Sequence, residues 1–85
     1  MFKVLLHKEA VKDYKRYDPR IKARLDKAFE SLKTNPFYGS QIRRLTGKLS
    51  HLYRYRIGGL RIIYEIHKEL KTVQIKVIES RGDAY

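Results

Sequence analysis

The chain has 85 residues, no cysteine, and 20 Lys and Arg against nine Asp and Glu, a formal charge of +11. That length makes one domain, 1–85, with an economical core; the lack of cysteine excludes a disulfide framework and thiolate metal sites, and fits a reducing cytoplasm. No apolar run approaches the ~20 residues that cross a bilayer, and MFKVLLHKEA has no small-residue cleavage site, so neither a membrane partner nor a signal peptide is expected.

FKVLLH (2–7) reads as a first strand, and KEAVKDYKRY (8–17) as a short helix with Ala10, Val11 and Tyr14 on one side. In DPRIKARLDKAFESLKTNP (18–36), Asp18 is placed to cap a helix that starts at Pro19. Ile21, Leu25, Ala28, Phe29 and Leu32 follow helical spacing, and Asn35-Pro36 ends it. The opposite face, Lys22, Arg24, Asp26, Lys27 and Glu30, reads as ordinary wetted surface. Residues 37–50 read as a loop punctuated by Gly39 and Gly47.

YRYRIGGLRIIYEI (53–66) is a hairpin about Gly58-Gly59. Folding it there sets Ile57 opposite Leu60, Arg56 opposite Arg61, Tyr55 opposite Ile62, Arg54 opposite Ile63 and Tyr53 opposite Tyr64. One face is core material; the other carries Arg54, Arg56 and Arg61, and like charges facing each other destabilise a sheet. HKELK (67–71) is a polar loop, TVQIKVIES (72–80) a third strand with Val73, Ile75 and Val77 inward, and RGDAY (81–85) follows. The order β-α-α-β-β-β predicts an α+β fold: an antiparallel sheet with two N-terminal helices packed on one face.

The positive charge is concentrated. No acid occurs between Glu30 and Glu65, a stretch holding Lys33, Arg43, Arg44, Lys48, Arg54, Arg56 and Arg61. Such a stretch marks a polyanionic partner. No P-loop is present, His7, His51 and His67 lack metal spacing, no Ser-His-acid set is suggested, and the acids are scattered, so neither metal nor cofactor is expected. Arginine and tyrosine remain. Arg61 and Arg81 can approach across the sheet, Tyr85 follows, and guanidiniums and a ring suit a phosphodiester and its base.

LTGKLSHLYRYRIGGLRIIYEI and TVQIKVIESRGDAY resemble the RelE/ParE superfamily of toxin–antitoxin modules, and within it the RelE-like mRNA interferases. The likeness spans the whole chain, through the L-x-G-x-L loop at 45–49, the YR-x-R-x-G-x-x-R-x-x-Y hairpin and the terminal R-x-x-x-Y. It implies the toxin of a type II module, an endoribonuclease that needs the 70S ribosome but no metal and cuts mRNA in the A site by attack of the 2′-hydroxyl on the adjacent phosphate. It implies Arg61 as the phosphate-binding arginine, Arg81 as the late-strand arginine that stabilises the transition state and Tyr85 as the terminal tyrosine, with Arg56 beside them. Arg54, Arg43, Arg44 and Lys48 would hold phosphate or RNA. Arg54 and Arg56 stand where some members have lysines, and Ser80 where many have histidine. The expected partner is an acidic RelB-like antitoxin in a hetero-oligomer. The alternatives are a ParE-like poison of DNA gyrase without ribonuclease activity and an RNA-binding domain without catalysis.

Overall fold

The computed structural model describes residues 1–80. Strand β1 (Lys3–Leu6) leads into helices α1 (Lys8–Lys15) and α2 (Pro19–Thr34), followed by β2 (Ile42–Arg44), β3 (Leu52–Ile57), β4 (Leu60–His67) and β5 (Thr72–Ser80). Asp18 accepts from Ile21 N at 3.0 Å and Pro19 opens α2, so the expected start of that helix holds. Beyond its end, Asn35 Oδ1 accepts from Phe37 N and Tyr38 N and turns the chain toward the sheet.

The sheet order is β1-β5-β4-β3-β2. The α+β order stands as expected, but the sheet is mixed: β1 runs parallel to β5, with Lys3 beside Thr72 and Leu6 beside Ile75. A four-residue apolar strand carries no mark of its neighbour's direction. Residues 37–50 are not all loop, since Ile42–Arg44 pairs antiparallel with Tyr53–Tyr55 and Gly47–Leu49 forms one 3₁₀ turn. The 67–71 connection contains a second such turn and closes with Lys71 at φ 50°.

Both helices cover one face of the sheet. Ala10, Leu25, Ala28 and Leu32 meet Leu60, Ile62, Tyr64, Val73, Ile75 and Ile78 in the buried core, with Tyr53, Tyr55 and Ile57 packed at its border. Tyr64 donates its hydroxyl to Pro36 O at 2.7 Å and stacks on Tyr53 with ring centroids 5.6 Å apart, tying the post-helix segment to the sheet.

The hairpin pairs in the expected register, and Gly58 takes φ +52°, a conformation a side chain resists. Strand β5 departs from expectation. A bulge opens between the pairs Ile63–Val77 and Tyr64–Ile75, leaving Lys76 as the extra residue. The alternation resets there, so Ile78 rather than Val77 enters the core. Strand β1 has run out beyond Ile75, and the Ile78 N–H is satisfied by Asp13 Oδ2 of α1 at 2.9 Å.

Candidate functional site

The face of the sheet away from the helices gathers the arginines. Alternation along β3 puts Arg54 and Arg56 on that face, and pairing brings Arg43 beside Arg54 and Arg61 beside Arg56. Four guanidiniums thus occupy two adjacent rows. Arg54 is the most enclosed: its Nε is buried and without a hydrogen-bond partner. Its pKa is lowered first by loss of solvent, then by the charges of Arg56, Arg43 and Arg61. Arg54 remains a cation, held where an anion would relieve both costs.

Among the described residues one carboxylate enters this patch. The bulge brings Glu79 opposite Arg61, and Arg61 Nη2 donates to Glu79 Oε1 at 2.8 Å, each side chain 44% exposed. Sequence reasoning missed Glu79, because unbroken alternation sets a different residue opposite Arg61. A signal was available: Val77 and Ile78 are adjacent apolar residues, a local break in period two. Beside this ion pair lies a groove of about 360 Å³ walled by Leu45, Leu49, Leu52, Ile63 and Val77.

Arg44 stands apart from the cluster. It pairs with Tyr53 on the helix-covered side, lies over that ring at 5.9 Å and donates through Nε to Ser50 O at 2.7 Å. Those contacts brace the 45–50 turn. Lys48 is exposed on that turn, between two of the leucines that wall the groove. Arg81 and Tyr85 lie outside the described residues. Among the described residues no three of His, Cys, Asp and Glu come together as metal ligands, and no helix is long and apolar enough to cross a membrane.

This face can bind a phosphodiester through several charge-assisted donors, with apolar surface alongside for a base or a partner's side chains. Comparison with known proteins agrees on one family. The model of the ParE toxin of type II toxin–antitoxin systems, parDE, matches residues 4–85. A Methanocaldococcus jannaschii protein bearing the toxin name RelE1 is 35% identical over 99% of this chain and 94% of its own length. A chain of the RelBE2 toxin–antitoxin complex of Mycobacterium tuberculosis superposes with a TM-score of 0.83 at 28% identity, covering 94% of this chain and 98% of that one. A chain of the archaeal RelE–RelB complex of Pyrococcus horikoshii gives 0.82 at 26% identity, covering 98% of each.

Proposed function

We infer what the arginine face does from one premise: the chain belongs to the ParE toxin family of type II toxin–antitoxin systems. It is a RelE-like endoribonuclease that cuts mRNA in the A site of the 70S ribosome and so stops translation in the cytoplasm. The observation that carries this reading is the enclosure of Arg54, without a partner for its Nε, among Arg43, Arg56 and Arg61. A surface meant only to stay wet has no reason to bury the Nε of one guanidinium among three others.

In this reading the 2′-oxygen of a nucleotide attacks the adjacent phosphorus as the 2′-proton passes to water. The P–O5′ bond breaks and the 5′-oxygen takes a proton from water, giving a 2′,3′-cyclic phosphate and a 5′-hydroxyl. Arg61 and Arg56 hold the phosphate, and fixed cations stabilise the charge that builds on its oxygens. Arginine keeps its proton at neutral pH, so these residues act as charges and donors rather than as bases. By motif, Arg81 adds to the transition-state charge and Tyr85 stacks on a base. The ribosome supplies the in-line geometry, a large entropic contribution that free RNA lacks.

The chains it resembles come from toxin–antitoxin complexes, and the partner is an acidic RelB-like antitoxin. Its apolar side chains fill the groove of Leu45, Leu49, Leu52, Ile63 and Val77 while its acids meet the arginines. The test is brief induction followed by mapping of mRNA 5′ ends. Cuts at fixed positions within codons, with cyclic or 3′-phosphate ends and no loss on chelation that leaves ribosomes intact, are expected. Ends bearing 3′-hydroxyls would mean metal-activated water and overturn the mechanism.

A second reading rests on the family description, which names ParE. A ParE-like protein would poison DNA gyrase, and induction would leave mRNA intact and trap gyrase on broken DNA.

A further inference from the structure

A second cationic groove lies around the hairpin tip, between α2 and β3. Its volume is about 380 Å³, and its walls include Arg24 and Lys27 of α2, Gln41, and Tyr55 and Arg56 of β3. Read from the sequence, Arg24 and Lys27 belong to a solvated helix face that also holds acids. The fold separates them: Asp26 accepts from the Tyr14 hydroxyl at 2.8 Å and Glu30 pairs with Lys33 at 2.7 Å. Among the described residues Arg24, Lys27 and Arg56 have no carboxylate partner. Gly58, held at φ +52° by the hairpin turn, also lines the groove and faces the Arg24 guanidinium.

We propose that this groove is a second phosphodiester seat, which takes the RNA strand as it leaves the arginine face. The proposal rests on the ribonuclease reading for the direction of the strand and on this geometry for the seat itself. Arg56 joins the two: it pairs with Arg61 on the open face and also lines the groove. Beyond Arg56, β2 no longer covers the edge of β3, which leaves a way from one site to the other. Two guanidiniums and an ammonium suit phosphate oxygens, and Tyr55 offers a ring to the neighbouring base. An acidic peptide suits the place less well. Its tight binding needs apolar anchors, and the groove offers only Ala28, Tyr55 and Ile57, fewer than the five apolar side chains of the leucine-walled groove.

The test uses the full chain and a short single-stranded 2′-O-methyl RNA, which cannot be cut by its own 2′-oxygen. Arg24 and Lys27 are exposed, so R24Q/K27Q should fold normally. The control is K12Q/K15Q, which removes the same charge from exposed positions on α1. R24Q/K27Q should weaken binding about tenfold near physiological salt, and the slope of log affinity against log salt should fall by about 1.4, the loss of two single-strand phosphate contacts. The control should leave the slope nearly unchanged. Equal effects of the two double variants would overturn the seat. So would a loss of binding to a glutamate-rich peptide with RNA binding intact, which would make the groove a contact for an acidic protein. Because the probe is not cleaved, failure of the nuclease reading would leave this binding difference to be read. A nuclease whose RNA binding ignores R24Q/K27Q would sink the seat alone.

Discussion

The Arg61 guanidinium donates to the Glu79 carboxylate at 2.8 Å, and Glu79 is there because β5 bulges at Lys76. The pair offsets the repulsion that the Arg56–Arg61 juxtaposition creates. It also puts an internal anion on the arginine assigned to the substrate phosphate. Both side chains are 44% exposed, so the pair contributes at most about 1 kcal/mol to stability. Glu79→Gln should therefore shift a urea midpoint only slightly, with an unchanged slope, while binding phosphate and RNA more tightly. Weaker RNA binding by that variant would mean that Glu79 orients Arg61 instead of competing for it.

Arg54 should show the opposite trade. Arg54→Met removes a partly buried cation from among three others and keeps most of the stem's packing. We expect stability equal to the parent or higher by about 0.5–1 kcal/mol at low salt, a gain that shrinks as salt screens the remaining charges. Activity should fall in the same variant. Arg61→Ala should likewise abolish toxicity in a folded protein, and circular dichroism with growth after induction reads both quantities. A destabilised, fully toxic Arg54→Met would remove the case for a strained binding patch.

Tyr64 predicts a pH dependence. Burial, then the neighbouring Tyr53 and Tyr55, raises its phenol pKa above the ordinary 10.0. The folded state thus favours the protonated ring. The resulting stability is complete below the unfolded value and is lost as pH climbs beyond it toward the folded one. Denaturant midpoints should therefore fall above about pH 10. Tyr64→Phe should lower stability by about 1–2 kcal/mol near neutrality, because the Pro36 carbonyl loses its buried donor. It should also flatten the alkaline decline; an equally steep decline in the variant would assign that titration to other groups.

The antitoxin prediction concerns rates. A chain of charge +11 meeting an acidic partner should associate faster at low salt, and the proposed apolar contacts in the leucine-walled groove should keep dissociation nearly constant. A stopped-flow salt series reads both limbs. An association rate flat from low to physiological salt would mean that the charge excess serves RNA alone.

How far the sequence carries can be seen strand by strand. Alternation of Tyr and Ile with Arg before Gly58-Gly59, and of Leu, Ile and Tyr with Arg61 and Ile63 after it, favours the register that buries the larger apolar set, so the hairpin and its arginine face were legible. The Asp18-Pro19 start of α2 was legible for the same kind of local reason. Glu79 was hidden because the bulge reverses the faces of Val77 and Ile78, and both residues are apolar enough to occupy either. Arg24 and Lys27 look unremarkable along the helix, since only the fold brings the hairpin tip against them and draws Asp26 and Glu30 to other partners. Arg44 was read by its charge, yet its turn and the Tyr53 ring fix it on the other side of the sheet.

The position of β5 between β1 and β4 has a consequence for the order of assembly. During synthesis β2, β3 and β4 leave the ribosome before β5 and can form their antiparallel meander by local contacts. The strand joining that meander to β1 emerges after them, so the sheet closes late, through contacts distant in sequence that are slow to form. Until then Leu60, Ile62 and Tyr64 lack their β5 neighbours, and Arg61 has no carboxylate beside it. A nascent chain paused before Glu79 thus exposes the arginine hairpin at its most basic, on a half-built domain.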